Sequence, residues 1–222
     1  MGNFDIKIEK FLKAFIDNGG YHNVLTGLKN TMEIAIIGLL IGIAIGTLIA
    51  SIRVLPKYRT LPRVLDKICS FYVAIFRGTP MVVQLLVFYY VLMPLMGFKI
   101  DGLNVAITVF GLNSGAYVSE IMRGGILSVD PGQLEGGRSV GMSYATTMFK
   151  IVIPQAIKNI LPTLGNEFIT LVKETSIVSF VGAMDLYKVF NDIGTNNYEF
   201  MVPYLVMAVI YIIIVCLITL GL

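Results

Sequence analysis

The stretch Glu135-Gly-Gly-Arg-Ser-Val-Gly141 is charged and rich in glycine, and Ile151-Val-Ile-Pro154 follows it after nine residues. Long apolar segments flank this region on both sides. A charged connection between such segments lies in water, where other molecules can reach it. We therefore expect residues 130–154 to form a loop on which a partner protein docks.

Two helix-start signals divide this loop. Asp130 before Pro131 is typical of an N-cap with a first-turn proline, and Gly141 with Ser143 is typical of a helix end and a new N-cap. The loop is therefore predicted to hold two short helices. Their exposed residues are expected to include Leu134, Glu135, Arg138, Met142 and Tyr144. The alternative is a solvated linker between two spans, but a linker has no need of two capped helices.

The composition is that of a membrane protein. Apolar residues make up 56% of the chain, charged residues make up 14%, and the mean hydropathy is +0.80. A bilayer core about 30 Å thick needs roughly 20 apolar residues in a helix. Five runs of about that length predict an all-α membrane protein with five transmembrane helices, over residues 34–52, 78–98, 102–119, 157–181 and 201–222.

Basic residues predict the orientation of the chain, because Lys and Arg are enriched in short cytoplasmic connections. The two connections richest in them hold Arg53, Lys57, Arg59, Arg63 and Lys67, and Arg123, Arg138, Lys150 and Lys158. Both are therefore predicted to be cytoplasmic, with the N-terminus outside and the C-terminus inside. The net charge of +3 reflects this asymmetry, so no nucleic-acid partner is inferred from it.

Residues 1–20 are predicted to form an amphipathic helix in the membrane interface, ahead of a transmembrane domain over residues 21–222. Charges recur between Asp5 and Asp17 with no short apolar core, so no cleavable signal peptide is expected. The two faces of the predicted helix hold Phe4, Ile8, Phe11, Leu12 and Phe15 on one side and Lys7, Lys10 and Lys13 on the other.

Small residues recur every fourth position in the first predicted span. They are Gly38, Gly42, Gly46 and Ala50. Such spacing lets another helix approach closely along one face. It does not distinguish packing within the chain from packing against a second copy.

Polar residues inside two predicted spans indicate a binding site, because ionisable groups within a membrane are usually functional. Helical rise puts Asn113 roughly 15 Å into the third span and Glu167 roughly 16 Å into the fourth, from opposite sides. The stripes Asn113, Tyr117 and Glu120, and Thr163, Glu167 and Thr170, are therefore predicted to face each other across a small wet pocket. The predicted substrate-binding residues are Asn113, Tyr117, Glu120, Thr163, Asn166 and Glu167.

Glu167 is the more informative carboxylate of this set. A fixed anion near the midplane favours a substrate with a positive side chain, so arginine, lysine or histidine is expected rather than glutamine or glutamate. The alternative is a structural ion pair between Glu167 and Lys173 or another internal cation. Glu120 lies roughly 26 Å down its span, where pairing with Arg123 or Arg77 is the alternative to binding.

The segment Arg77-Gly-Thr-Pro80 interrupts the second apolar region. A helix that begins near Pro80 would present its N-terminus to the substrate carboxylate. An equal alternative is that Gly78 and Pro80 only kink the helix while Arg77 reaches the cytoplasmic headgroups. Arg77 is therefore left outside the predicted pocket.

The stretch from Glu135 to Pro154 resembles the EAA motif of membrane subunits of binding-protein-dependent ABC importers, with the polar amino acid group most similar. Gly136 and Gly137 stand where the motif has two alanines. Three further stretches carry the same resemblance: Phe76-Arg-Gly-Thr-Pro80 with Gln84, Leu112-Asn-Ser-Gly-Ala-Tyr117 with Glu120-Ile-Met-Arg-Gly-Gly125, and Leu164-Gly-Asn-Glu-Phe168 with Lys173-Glu-Thr-Ser176.

The resemblance implies a permease subunit that works by alternating access. It assigns coupling to an ATP-binding subunit to Glu135, Gly136, Gly137, Arg138 and Gly141. The partners it implies are two ATP-binding subunits, a second permease subunit, most simply an identical one, an extracytoplasmic substrate-binding protein, an amino acid substrate and the lipid of a bacterial inner membrane.

Other chemistry is not expected on this chain. It has no Gly-x4-Gly-Lys-Ser/Thr loop, so ATP and Mg are expected on a partner, and this chain is expected to bind no cofactor and to be no enzyme. His22 is the only histidine, and Cys69 and Cys216 lack metal spacing, so no metal site is expected. The sequence ends at Leu222 without the basic tail usual in the family, which leaves a truncated C-terminus open.

An ion-coupled secondary carrier or channel is the alternative function, with Glu167 as its ion site. Five spans do not divide into two equal repeats, and a carrier of that kind has no evident use for the docking loop. Dependence of uptake on ATP distinguishes the two functions.

Overall fold

The computed structural model describes residues 3–55, 58 and 60–221, and all regular structure in those residues is helical. Lys57 and Arg59 of the predicted basic connection, residues 1 and 2 of the predicted interfacial helix, and Leu222 lie outside the described residues. The helices are α1 Asn3–Leu12, α2 Gly20–Val54, α3 Thr60–Gly78, α4 Met81–Val87, α5 Met93–Leu95, α6 Gly102–Leu127, α7 Pro131–Ser139, α8 Tyr144–Thr147, α9 Ile153–Glu174, α10 Leu186–Asn197 and α11 Met201–Gly221.

Within the described residues, α2, α6 and α11 are long and apolar enough to cross a membrane. The bent pair of α3 and Met81–Leu95 adds a fourth span if it is counted as one. Helix α9 has 22 residues, but charged residues such as Lys158 and Glu167 keep it out of this apolar class. The count of five spans and their orientation therefore stay predictions.

Two of the predicted spans differ from the helices observed. The span predicted over residues 78–98 is broken, because α3 ends at Gly78 and the next helix begins only at Met81. Thr79 precedes a proline, which disfavours helical backbone there, and Pro80 has no N–H to donate. The span predicted over residues 157–181 changes from α-helix to 3₁₀-helix after Glu174.

The chain forms two compact units. The first contains Met1–Gly38, Met81–Phe110 and Ile169–Leu222, and the second contains Leu39–Pro80 and Gly111–Phe168. All the substrate-binding and coupling residues predicted from the sequence fall in the second unit.

The first unit has a core in which the N-terminal helix takes part. Phe11 is 7% exposed, and it packs with residues of α10 and α11 such as Phe190 and Val202. Lys7 Nζ lies 3.1 Å from Glu199 Oε2. The predicted helix is therefore present and is held by protein contacts as well, while its place in the membrane interface stays a prediction.

Helix α10 is fixed at its start by three kinds of contact within the first unit. The carboxylate of Asp185 accepts hydrogen bonds from the backbone N–H groups of Tyr187 and Lys188, each at 3.0 Å. On α2, Asn30 Nδ2 donates to the Met184 carbonyl at 2.7 Å, and Thr31 Oγ1 accepts from the Leu186 N–H at 3.2 Å. The start of α10 is therefore held by its own N-cap and by hydrogen bonds to α2.

In the second unit the small residues of α2 pack against α6. A Cβ atom added at Gly42 would lie 2.5 Å from Ser114 Oγ, and one added at Gly46 would lie 2.7 Å from Val118 Cβ. Conversely, the side chain of Ile41 on α2 packs against Gly111 on α6. The sequence did not decide what these small residues pack against. At Gly42 and Gly46 they pack against α6 of the same chain.

Candidate functional site

The loop over residues 130–154 contains the two capped helices that the sequence predicts. Asp130 accepts a hydrogen bond from the Gly132 N–H at 2.7 Å and begins α7. Ser143 Oγ accepts from the Thr146 N–H at 3.1 Å and begins α8. Between them Gly141 has a φ of +88°, a conformation that glycine adopts without strain. The prediction of two short helices with a glycine stop is confirmed.

The two glycines in place of the motif's alanines have different surroundings. A Cβ atom at Gly137 would lie 2.4 Å from Thr147 Cγ2 of α8, whereas one at Gly136 would meet nothing within 4 Å. Gly137 therefore allows α7 and α8 to touch, and Gly136 faces open space. The motif has a small residue at both positions, and the geometry requires one only at Gly137.

The surface of the loop is part charged and part apolar. Glu135 and Arg138 are exposed as predicted, and an Arg138 Nη1 donates to the Met142 carbonyl at 2.8 Å. Leu134 is half-buried, because it packs on a core that includes Val129 and Val152. The most exposed apolar side chains of the loop are two that sequence reasoning missed, Val140 at 77% and Phe149 at 71%.

On α6, Asn113 is buried and bonded to the backbone of α3. It is 5% exposed, and its Nδ2 donates to the Phe76 carbonyl at 3.3 Å. Tyr117, one turn further on, is 37% exposed, and the Arg77 guanidinium carbon lies 5.2 Å from its ring centroid. Arg77, which the sequence left outside the pocket, is therefore next to a predicted binding residue. The sequence signal that could have identified Arg77 as a site residue is its position next to the break that ends α3.

On α9, Glu167 is half-buried and contacts α6. Ser114 Oγ donates to Glu167 Oε1 at 3.1 Å, so a hydrogen bond joins the two helices that carry the polar stripes. Ser114 lies outside both stripes, and sequence reasoning missed it. Lys173, the alternative partner, stands six residues along, which is not the spacing of a helical ion pair.

The remaining predicted residues of α9 are exposed. Asn166 precedes Glu167 and faces outward, and Thr163 Oγ1 donates within the helix to the Asn159 carbonyl at 3.4 Å. The structure therefore brings Asn113, Ser114 and Tyr117 of α6 into one unit with Glu167, and it leaves Thr163 and Asn166 at the surface of that unit. Substrate binding by the predicted residues stays a prediction.

Glu120 belongs to an ion-pair cluster. One carboxylate oxygen accepts a hydrogen bond from Arg53 of α2, and the other lies 2.7 Å from Arg123 Nη2. Arg53 Nε is also 3.7 Å from Asp66 Oδ1 of α3. Both carboxylate oxygens are occupied, which favours the structural alternative for Glu120. Pairing with Arg123 was anticipated from the sequence, but Arg53 was assigned only to a basic connection.

Replacing Glu120 by Gln is expected to destabilise the second unit. The side chains of Arg53 and Glu120 are 16% and 19% exposed, so the variant leaves Arg53 in a mostly buried place with the more distant Asp66 carboxylate, 3.7 Å from its Nε, as a counter-charge. Losing one member of such a pair costs about 3 kcal/mol. Thermal unfolding of the purified chain in detergent measures this, and the midpoint should fall.

The exposed pair of Lys188 and Asp192 provides the control for Glu120→Gln. Its atoms are 3.2 Å apart, and its side chains are 31% and 44% exposed. Replacing Lys188 by Gln removes one charge of a solvated pair, which changes stability by less than about 1 kcal/mol. Equal midpoints for the two variants would contradict a structural role for Glu120.

No group of three His, Cys, Asp or Glu side chains among the described residues is arranged to hold a metal ion. Cys69 is buried and Cys216 is exposed, and both are free thiols.

The family model described as "Binding-protein-dependent transport system inner membrane component" matches residues 38–222. The chain is 37% identical to the arginine transport system permease protein ArtQ of Bacillus subtilis (strain 168), covering 88% of this chain and 87% of that protein. It is 39% identical to the putative glutamine transport system permease protein GlnP of Rickettsia bellii (strain RML369-C), covering 88% of each.

A solved structure described as an amino acid ABC transporter with histidines has the same fold. The TM-score is 0.82 and the sequence identity is 37%, with 90% of each chain covered. The match therefore extends over both compact units.

Proposed function

Because this chain belongs to the family of binding-protein-dependent transport system inner membrane components, we propose that it imports cationic amino acids, namely arginine, lysine or histidine, as the permease of an ATP-driven importer. Membership of the family makes it an integral membrane protein. Its similarity to named amino acid permeases confirms the prediction of an amino acid ABC importer permease. Like those relatives, it is a transport component without catalytic activity of its own.

The family also favours an ATP-driven importer over the ion-coupled carrier considered from the sequence. Membership implies an ATP-binding subunit and a substrate-binding protein as partners. We further propose two ATP-binding subunits that carry ATP and Mg, a second identical permease chain, and a place in a bacterial inner membrane. The exposed charged and apolar surface of α7 and α8 supports docking of an ATP-binding subunit there.

The relatives' names do not choose the substrate, because those named for arginine and for glutamine are almost equally similar, at 37% and 39% identity. Glu167 is the observation that carries the proposal of a cationic substrate. A carboxylate within a helix of the membrane domain is unfavourable unless a cation compensates it. A substrate side chain with a positive charge would therefore be favoured over a neutral one beside this carboxylate.

The substrate's own carboxylate also needs a partner. Arg77 is exposed, and its guanidinium lies 5.2 Å from the ring centroid of Tyr117, a predicted binding residue. Arginine binds carboxylates with two parallel hydrogen bonds. The sequence placed Arg77 outside the predicted pocket. We now add it to the candidate site as the group that would hold the substrate's carboxylate.

Transport would proceed by alternating access. The binding protein delivers the amino acid outside, and ATP-driven closure of the partner subunits moves the loop over residues 130–154. Because α7 and α8 are packed together through Gly137 and Thr147, the loop would move as one piece. That motion would open the site around Glu167 to the opposite side.

The test is uptake of radiolabelled arginine, lysine, histidine and glutamine into liposomes that contain this chain, its ATP-binding subunit and its binding protein. The expected result is uptake that needs internal ATP and is limited to the three cationic amino acids. Uptake of glutamine in preference would keep the importer and reject the charge selection. Uptake driven by an ion gradient without ATP would reject the importer.

A further inference from the structure

We propose that Asn113 is a positioning residue whose side-chain amide supplies the hydrogen bond that Pro80 cannot give to the end of α3, and so holds Arg77 where it binds the substrate's carboxylate. The inference rests on the role proposed for Arg77, and it does not depend on which side chain of the substrate is selected. It gives Asn113 a different role from the direct substrate contact that the sequence predicts. Nothing in the family description or in the relatives' names assigns this role to Asn113.

The end of α3 leaves backbone carbonyls without their helical partners. In a continuous helix each carbonyl accepts a hydrogen bond from the N–H group four residues further on. The partner of the Phe76 carbonyl would therefore be Pro80, which has no N–H. Asn113 Nδ2 of α6 donates to that carbonyl at 3.3 Å. The preceding carbonyl, of Ile75, accepts from Thr79 Oγ1 at 2.8 Å. Within a membrane domain such carbonyls need donors from the protein, and Asn113 is one of them.

Two hydrogen bonds in opposite directions join α3 to α6 at this point. Asn113 donates from α6 to α3, and the hydroxyl of Tyr72 on α3 donates to the carbonyl of Leu112 on α6. Tyr72 lies one turn before Phe76, and Leu112 precedes Asn113. Asn113 is 5% exposed, so water has little access to its bond. The last turn of α3 is therefore fastened to α6.

Arg77 is placed by the same pair of helices. It follows Phe76 directly, and its guanidinium carbon lies 5.2 Å from the ring centroid of Tyr117, one turn after Asn113 on α6. Helix α6 thus provides both the donor that fixes the Phe76 carbonyl and the ring beside which the Arg77 side chain lies. Because two parallel hydrogen bonds from an arginine to a carboxylate require a defined orientation, a fixed end of α3 favours them.

The test compares binding of arginine with binding of argininamide, in which a neutral amide replaces the carboxylate. Equilibrium dialysis with the purified complex of this chain and its ATP-binding subunit, without the binding protein, measures the permease site alone. Asn113→Ala is expected to lower the preference for arginine over argininamide about fivefold to tenfold, because Arg77 would lose one of its hydrogen bonds to a charged group. The affinity for argininamide should change little.

A double variant distinguishes positioning from direct contact. In an Arg77→Gln background, Asn113→Ala should have no further effect on the ratio of arginine to argininamide binding, because the residue that it positions is already gone. A further fall of the ratio in that background would show that Asn113 itself binds the carboxylate, and the inference would be rejected.

Asn30→Ala is the matched control. Asn30 Nδ2 also donates to a backbone carbonyl at a helix boundary, that of Met184 at 2.7 Å, but it does so in the first unit. This variant removes the same kind of bond and should keep the preference for the carboxylate. If Asn30→Ala and Asn113→Ala lower the preference equally, then the effect is a general loss of packing and the inference is wrong.

Tyr72→Phe gives a second test if Asn113→Ala does not assemble. It removes only the hydroxyl that donates to the Leu112 carbonyl, so the end of α3 is loosened with little change in side-chain volume. The preference for arginine over argininamide should fall in this variant too. An unchanged preference would then contradict the inference.

The wild-type complex separates failure of this inference from failure of the proposed function. Glutamine and its α-amide are measured in parallel, because every amino acid substrate has the carboxylate. Equal binding of each amino acid and its amide would reject the role proposed for Arg77. A wild-type preference for the carboxylate that survives Asn113→Ala would reject only the role of Asn113.

Discussion

Replacing Glu167 by Gln is expected to remove most of the preference for arginine over citrulline while the importer still assembles. Glutamine keeps the shape of the side chain and can still accept from Ser114, so α6 and α9 stay joined. What is lost is the bond between two charges, worth about 2 kcal/mol or roughly 30-fold in affinity. Equilibrium dialysis of both ligands with the purified complex measures it.

Asp192→Asn is the control for this prediction. It also removes one negative charge, but from an exposed side chain on α10 that is bonded to Lys188. Arginine binding should be unchanged in this variant. If Glu167→Gln lowers thermal stability and leaves the preference for arginine intact, then the alternative of a structural role for Glu167 is correct.

Replacing Gly137 by Ala is expected to weaken the docking that we propose between the loop and an ATP-binding subunit. The added methyl group would lie 2.4 Å from Thr147 Cγ2, so the buried Thr147 side chain must shift or α7 and α8 must move apart. Overpacking of this kind costs about 1 to 3 kcal/mol, and a shift of that size in a docking surface should lower association with the ATP-binding subunit about tenfold. Co-purification of the two subunits and ATP hydrolysis stimulated by the loaded binding protein measure the loss.

The neighbouring glycine supplies a matched comparison of stability. A methyl group at Gly136 meets nothing within 4 Å, and alanine favours a helix over glycine by about 1 kcal/mol. Thermal unfolding of the chain should therefore be unchanged or slightly higher for Gly136→Ala and lower for Gly137→Ala. Equal midpoints for the two variants would show that contact between α7 and α8 does not hold the loop together.

The amino-acid sequence was sufficient wherever the cause is local. The caps at Asp130 and Ser143 and the glycine stop at Gly141 depend on residues within a few positions of one another, and the helices they delimit were predicted correctly. Hydropathy likewise predicted the apolar helices. The broken helix around Pro80 was visible as an interruption, but its effect on the span count was not.

Contacts between distant residues were decided only by the tertiary structure. Helical periodicity tells which residues share a face of one helix, but not how that helix is rotated toward its neighbours. The sequence therefore placed Asn113 and Glu167 at a similar depth in the membrane. It did not indicate Ser114, which packs against α2 and donates a hydrogen bond to Glu167 of α9. It also could not show the ion pair of Glu120 with Arg53, because Arg53 is distant in sequence and only the packing of α2 on α6 brings it near.

The sequence by itself determined that this is a helical membrane protein with a loop of two capped helices, and its motifs were specific enough to indicate the family. The tertiary structure alone decided that Glu120 is bonded to Arg53 and Arg123 and that Glu167 accepts a hydrogen bond from Ser114. The physical reason is that apolar periodicity and helix caps act over a few residues, whereas the environment of a buried charge depends on side chains brought from other helices.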